Sequence, residues 1–510
     1  MIAKTVPVAV ATSYSRVLFV DLDDTLVQTD LLAESFAKAA RECPLKLLAA
    51  IPSITKGRAA LKGAMANIVT PNAALLPYRR DVIEFLHEQQ EAGVKLVLAT
   101  ASPEKWAREV ADYLGLFDDV IASSDERNLK GRHKLEAIRE YVAREQFESW
   151  GYLGDSSADL AIFAEADHAY LVTHSKQMER RALQAAPGRL AVMKQAKSSL
   201  RDVVKAMRPH QWVKNVLVFV PMILGHAFAV PQIISAFLAW ACFSSVASGV
   251  YILNDILDVE ADRRHPTKCR RPFASARLSI ASGIPLFLGL VTTGITLAVA
   301  TLPAQFVLLL LGYFALTTAY SLYLKNKLIL DVMILAGLYT LRVIAGGAAV
   351  NVPVSEWLMG FSIFLFTSLA FAKRYAELRR MLSESHSSGE VSADAAQIDD
   401  AVDLSAKRIH GRSYRIEDMS LIESLGPTSG YLSVLVLALY INSPQVTSLY
   451  RNVTMLWYVC PLVMYWITRL WFVAKRGKLS EDPIVFALKD KVSLITGALV
   501  CLVMLVAVVF

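Results

Sequence analysis

The run "DLDDTL" puts Asp21 and Asp23 two positions apart, directly after the apolar segment "RVLFV". Side chains two apart on a strand share a face, and at a frayed strand end both carboxylates reach one centre. Asp21 can then attack a phosphoryl group while Asp23 protonates the leaving oxygen. A supporting set follows in chain order: Thr100 in "LVLATAS", Lys134 in "KGRHKLEAI", and Asp155 and Asp159 in "GDSSADL". A hydroxyl and an ammonium group hold phosphoryl oxygens. Asp155 and Asp159, together with Asp21 and Asp23, offer the hard oxygens that Mg²⁺ takes. Lys130 competes with Lys134 for the ammonium role, and Lys134 is preferred because it opens a helix.

A second set lies in "LNDILDVEADRRHPTKCRRPFAS", residues 253–275, between two long apolar stretches. Asn254, Asp258 and Asp262 are spaced i, i+4, i+8, with Asp255 three before Asp258, so a helix gathers all four on one face. Carboxylates at a membrane boundary repel one another and are costly to desolvate. A divalent metal offsets both costs, which makes these four the expected metal set and Asp255 and Asp258 the expected catalytic pair. Pro266 stops the helix, and Arg264, Lys268 and Arg271 follow in a cationic loop suited to phosphates. Any one of those cations has membrane topology as its alternative explanation. Further along, Asp331 is a candidate metal ligand, and Lys214, Lys325, Arg342, Lys373 and Arg374 are candidate contacts for anionic substrate groups. Their alternatives are interfacial anchoring or snorkelling. Arg469, inside an apolar span, is expected to be functional or paired.

The elements that must position these groups differ between the two parts of the 510-residue chain. In residues 1–184, "RVLFVDLDD", "VKLVLATAS" and "SWGYLGDSS" are short apolar runs ending in polar residues, separated by helical patterns. That pattern predicts a Rossmann-like α/β domain with a parallel sheet, whose catalytic groups collect at the carboxyl ends of the strands. Helix-forming residues near 31–75 predict a helical cap, and 185–208 read as a basic linker. The short apolar "VPVAVA" near the start is too brief for a signal peptide and leads into the first strand. From 209 to 510, apolar runs of about 20 residues recur. They predict an all-α polytopic membrane domain of about nine transmembrane helices, near 212–230, 232–252, 281–302, 304–323, 328–348, 356–372, 428–447, 453–473 and 491–510. The approach to the seventh is interrupted by "GPTSG", and the polar stretch 383–403 reads as a mobile cytoplasmic loop.

Hydrophobic residues make up 54% of the chain, and the formal net charge is +7. The cations cluster in alternate loops around Arg263–Arg277, Lys325–Lys327, Lys373–Arg380 and Lys475–Lys478. That is the pattern of membrane topology rather than of nucleic-acid binding. It places those loops and the N-terminal domain in the cytoplasm, on a multi-pass protein of the cell inner membrane. The five cysteines are scattered, with no C-x-x-C pair, which argues against a disulfide framework or a zinc site.

The four motifs in order make residues 15–180 resemble the haloacid dehalogenase-like phosphatases. The resemblance implies an aspartyl-phosphate mechanism with Asp21 as nucleophile and Asp23 as acid/base, and a small helical cap over the site. Asp24 stands where that family often has glycine. N-D-x-x-D-x-x-x-D with R-x-H-P-x-K-x-x-R-P-x-A-S downstream resembles the UbiA-type membrane prenyltransferases. "MRPHQWVKNVLVF" and "FAKRYAEL" narrow that likeness to the decaprenyl-phosphate phosphoribosyltransferase branch. There the resemblance implies that a polyprenyl phosphate attacks C1 of phosphoribosyl diphosphate, with Mg²⁺-bound diphosphate leaving. The second D-x-x-x-D of aromatic prenyltransferases is absent, since Leu335 stands at the partner position of Asp331. Two other readings are transfer of a prenyl group from a prenyl diphosphate to an aromatic or other small acceptor, and a transporter with a regulatory phosphatase domain.

Overall fold

A computed structural model describes residues 16–124, 127–195, 198–387, 413–479 and 482–509. Contacts divide the chain into two compact units. One comprises the residues up to Met207 together with Tyr251–Leu286; the other comprises Arg208–Val250 together with Phe287 onward.

In the first unit, six strands form one sheet: β1 Arg16–Val20, β2 Lys95–Pro103, β3 Asp119–Ser123, β4 Ser149–Gly154, β5 His168–Thr173 and β6 Leu190–Lys194. Their order is β3-β2-β1-β4-β5-β6, and every pairing is parallel. β1 is central and reads "RVLFV" without polar alternation because helices cover both faces of a parallel sheet. Leu18 and Val20 enter one apolar cluster with Leu96, Leu98 and Trp106. Val17 and Phe19 enter another with Ile138, Tyr152 and Phe163. Between β1 and β2 lie α1 Leu31–Glu42, α2 Pro44–Ala50, α3 Arg58–Ile68 and α4 Arg80–Glu91, the first three forming the expected cap. The remaining helices are α5 Glu104–Leu114, α6 Arg132–Glu145, α7 Leu160–Glu165, α8 Lys176–Ala185 and α9 Leu200–Met207.

Two expected boundaries shift. β6 pairs with β5 over Leu190–Lys194, so the sheet runs into the segment read as a linker. "LAVMK" is too short to stand out among its charged neighbours. Tyr251–Leu286, expected inside the membrane domain, groups with the first unit by its contacts, while the helices it overlaps, Val230–Leu257 and Ile280–Thr301, are long and apolar enough to cross a membrane.

Among the described residues, eight helices are long and apolar enough to cross a membrane: Val230–Leu257, Ile280–Thr301, Ala304–Leu322, Leu330–Val350, Glu356–Ser383, Ile416–Ile441, Val453–Lys475 and Lys491–Val509. The protein is thus a multi-pass membrane protein, within one helix of the expected count. The difference lies at 212–230. There Pro209–Phe219 is a 3₁₀ segment followed by a single short helix, Val220–Leu224. The 3₁₀ segment packs closely on the helix Leu330–Val350, where a Cβ on Gly346 would lie 2.0 Å from the Val218 carbonyl oxygen. "GPTSG" does not break the seventh span. The helix Met419–Ile441 begins earlier and carries Pro427 inside it. Most of the polar stretch 383–403, and "VPVAVA", lie outside the described residues.

Candidate functional site

The chain leaving β1 caps its own turn: the Leu22 N–H donates to Asp21 Oδ1 at 2.8 Å. Asp24, at the position often held by glycine, adopts φ +56°. That is the left-handed conformation that a short acidic side chain tolerates and glycine takes freely. The carboxyl ends of β1 and β4 bring together Asp21, Asp155 and Asp159, each offering an oxygen within 4.8 Å of the others. Lys134, near the start of α6, is buried among them, with Nζ 2.9 Å from Asp21 Oδ1 and 3.8 Å from Asp159 Oδ1. Lys130 is exposed.

The electrostatics follow from crowding. Burial pushes the Asp155 carboxyl up to about 8, and the nearby Asp21 and Asp159 add to it. Burial likewise raises Asp21 to about 6, although Lys134 opposes it. Burial would lower Lys134, but Asp21 and Asp159 outweigh it and keep the ammonium charged. Three crowded carboxylates and no soft ligand form a donor set that fits a hard divalent cation such as Mg²⁺.

The carboxylate of Asp23 does not join that group. Its Oδ1 accepts the Leu31 N–H at 2.9 Å, and its Oδ2 accepts the Ser102 hydroxyl at 2.6 Å. Lys62 of the cap stands 3.8 Å away. Burial raises the Asp23 carboxyl, with Lys62 opposing, which favours a protonated acid over a metal ligand. Thr100 is fully buried at the end of β2, and its hydroxyl accepts the Ser102 N–H at 3.0 Å. Sequence reasoning missed Ser102, whose signal was the second hydroxyl in the same "TAS". It also missed Tyr152, whose hydroxyl accepts from Lys134 and donates to Asp159, both at 2.9 Å.

The acidic helix end is arranged otherwise than expected. The helix Val230–Leu257 ends one residue before Asp258, and a short helix, Val259–Arg264, restarts after it. Asp255 and Asp262 converge on one arginine, with Arg271 Nη1 at 3.2 and 2.6 Å. Burial raises the Asp262 carboxyl, and Arg271 opposes it. Asp258 pairs with Arg41 of α1. Asn254 is half-buried, and its carbonyl accepts the Asp258 N–H at 2.9 Å. Among the described residues only Asp21, Asp155 and Asp159 gather as a metal-holding group. In this conformation the acidic end therefore does not fit a metal, because arginines occupy its carboxylates. Arg264 is exposed and Lys268 half-buried in the cationic loop.

In the second unit, Asp331 and Arg374 form a fully buried ion pair at 2.7 Å, and the Tyr414 hydroxyl donates to Asp331 at 2.8 Å. The same Arg374 also pairs with Glu377, and among the described residues Asp331 belongs to no group of three or more possible metal ligands. Arg342 is clamped by Asn215 Oδ1 at 2.9 Å, the Leu338 carbonyl at 2.6 Å and the Tyr313 hydroxyl at 2.9 Å. Lys214 pairs with Asp482, both buried. Burial would raise the Asp482 carboxyl, but Lys214 and Lys373 hold it below the usual range. Lys325 is half-buried in the turn Leu324–Asn326. Arg469 is paired, through two hydrogen bonds of 2.6 and 3.0 Å to Asp490. Asp482 lacked any sequence signal, since it sits far along the chain from Lys214.

Residues 18–164 match the haloacid dehalogenase-like hydrolase model, and residues 218–381 match the UbiA prenyltransferase family model. The chain is 36% identical over 486 residues to the uncharacterized protein y4nM of Sinorhizobium fredii, covering 95% of this chain and 89% of that one. It is 35% identical over 301 residues to the nodulation protein NoeC of Azorhizobium caulinodans, covering 59% of this chain and 91% of NoeC. It is 37% identical over 187 residues to decaprenyl-phosphate phosphoribosyltransferase of Mycobacterium tuberculosis, covering 34% of this chain and 60% of that enzyme. The carboxylate–lysine centre thus belongs to a phosphatase domain and the helical part to a transferase. The chain joins a haloacid dehalogenase-like hydrolase domain to a UbiA prenyltransferase family domain in its membrane part.

Proposed function

We propose that the membrane part transfers phosphoribose, or a related sugar phosphate, from a diphosphate donor to a polyprenyl phosphate, and that the soluble domain then removes a phosphate from the lipid-linked product. The observation that carries this reading is the 37% identity to decaprenyl-phosphate phosphoribosyltransferase within a chain that also holds the Asp21–Lys134 centre. In the soluble domain, Asp21 attacks the terminal phosphorus of the product's sugar phosphate while the sugar oxygen leaves with a proton from Asp23. Water, deprotonated by Asp23, then hydrolyses the aspartyl phosphate and releases inorganic phosphate. Asp23 is suited to this by burial and by the Ser102 and Leu31 hydrogen bonds that aim it. Lys134 neutralises charge beside the nucleophile, and Thr100 and Ser102 shape the strand end that meets the phosphoryl oxygens. A divalent cation held by Asp21, Asp155 and Asp159 would supply electrostatic stabilisation of the transferring group. In the membrane part, Lys268, Arg264 and Arg271 are the cations offered to the donor's diphosphate. Lys214, Lys325, Lys373 and Arg374 are offered to the remaining anionic groups, with Arg374 already committed to Asp331. The cationic loops favour a cytoplasmic soluble domain on the inner membrane.

Purified protein given labelled phosphoribosyl diphosphate, Mg²⁺ and polyprenyl phosphate should yield labelled lipid; none from the wild type removes the transferase half. Asp21→Asn should accumulate the phosphorylated lipid, and products identical to wild type remove the phosphatase half. The matched prenyltransferase family model supports a second reading, prenyl transfer from a prenyl diphosphate to a small acceptor. Donor competition separates the two, since only one diphosphate is consumed.

A further inference from the structure

The cap helix α3 is seated by Leu61, Met65 and Ala66, which enter the same apolar cluster as Leu18, Val20 and Leu96 of the sheet. Lys62 follows Leu61 and is thereby carried to the rim of the phosphatase centre, its side chain 16% exposed. Its Nζ donates to the Ala101 carbonyl at 3.0 Å and lies 3.8 Å from Asp23 Oδ2, too far for a hydrogen bond. An ammonium group carries three donors, so Lys62 has capacity for a group that enters beside Asp23. Other cations nearby have closer acidic partners. Lys38 and Arg41 of α1 pair with Glu260 and Asp258, and Lys134 lies against Asp21 and Asp159 on the side of the nucleophile. From the core, Lys105 of α5 reaches back to α3 and donates to the Ala66 carbonyl at 3.3 Å.

We infer that Lys62 is a specificity-determining residue of the phosphatase centre: it selects phosphate monoesters whose leaving alcohol carries a second anionic group, such as a phosphodiester. Asp23 protonates the leaving oxygen, so the rest of the leaving group is seated on the Asp23 side. A half-buried cation there meets charge on the leaving group. The transferring phosphoryl group instead faces Lys134 and the carboxylates around it. Partial burial makes the attraction stronger than it would be in bulk water. A neutral leaving group offers Lys62 no such partner and leaves it on the Ala101 carbonyl. The lipid-linked product proposed above has the selected form, because the phosphate to be removed sits on a sugar that also bears the lipid's phosphodiester. The plainer role for Lys62 is a brace, since its bond to Ala101 ties the cap to the core. Lys105, which is exposed, makes the reciprocal tie and supplies the control for bracing alone. The inference rests on the reading of the soluble domain as the phosphatase that acts on that product.

The test uses the full chain in detergent and two soluble probes that differ by one charged group. One is methyl riboside 5-phosphate, and the other is ribose 5-phosphate bearing a methyl phosphodiester at C1. Release of inorganic phosphate gives kcat/KM for each, with Asp21→Asn as the blank. The wild type should favour the phosphodiester probe about 10- to 100-fold, the scale of one charge-assisted hydrogen bond. That preference should shrink as salt is raised. Lys62→Met, or Lys62→Gln where the Met variant does not fold, should abolish the preference, chiefly through KM. Lys62→Arg should keep most of it. Lys105→Met, which removes only the reciprocal tie, should change both probes alike. A wild type that treats the two probes equally overturns the inference. So does a Lys62→Met variant that slows both probes by the same factor, which would leave Lys62 a brace and the phosphatase standing. Phosphate release from neither probe above the Asp21→Asn blank overturns the phosphatase reading, and the inference with it.

Discussion

At the residue scale, Asp155 and Asp21 show what crowding does to an acid. A folded-state pKa of about 8 for Asp155, against an ordinary 3.8, means that the folded chain binds this proton more tightly than the unfolded one. Without metal, the contribution of Asp155 to stability is therefore present below about pH 4 and is lost as pH rises towards 8. A bound cation reverses that penalty, and its affinity must fall as protons return. Mg²⁺ affinity of the Asp21–Asp155–Asp159 group should drop by up to about tenfold per pH unit below pH 8, as read by calorimetric titration. Asp23 is placed differently, on Ser102 and Leu31 rather than on the metal group. Asp23→Asn should slow phosphate release about 10²- to 10⁴-fold. Metal affinity should stay near wild type, which single-turnover kinetics and the same titration would show.

At the element scale, the two parts follow different rules. β1 is apolar on both faces because helices cover both sides of the sheet, and its end is polar because the catalytic groups collect there. In the membrane part, the helix Leu330–Val350 carries Asp331, Arg342, Gly346 and Gly347, all buried and each with a specific neighbour. Arg342 holds the irregular 3₁₀ segment through Asn215, a buried charge made tolerable by three accepting partners. Gly346 lets that segment's backbone approach the helix. Gly346→Ala should force the Val218 carbonyl away, cost about 1–3 kcal/mol, and lower the melting midpoint of the detergent-solubilised protein. Substitution at Gly337, whose Cβ would meet nothing within 4 Å, should leave it unchanged.

At the scale of the whole molecule, one chain joins a sugar-phosphate transferase, as proposed, to a phosphatase. A common chain raises the effective concentration of the second centre for the first one's product. Cations in alternate loops predict that the segment around Cys269 faces the cytoplasm with the phosphatase domain. A variant retaining Cys269 alone should resist a membrane-impermeant thiol reagent in intact cells and react in inside-out vesicles; the reverse pattern would overturn the topology.

Much of this was legible without coordinates, because the information was local. Strand-end acids, their order along the chain, the cap and the apolar spans all depend on near neighbours and on periodicity. So do Asp21, Asp155, Asp159 and the preference for Lys134 over Lys130, since a parallel sheet delivers its strand ends to one edge. Only the tertiary structure decided who partners whom. Helical spacing put Asn254, Asp255, Asp258 and Asp262 on one stripe, but the helix ends before Asp258. The stripe's charges then found arginines: Arg271 for Asp255 and Asp262, and Arg41 from a distant part of the chain for Asp258. Asp331 likewise found Arg374, and Lys214 found Asp482. The physical reason is that a buried charge must be compensated, and spacing in the sequence says that compensation is needed without saying which distant residue supplies it.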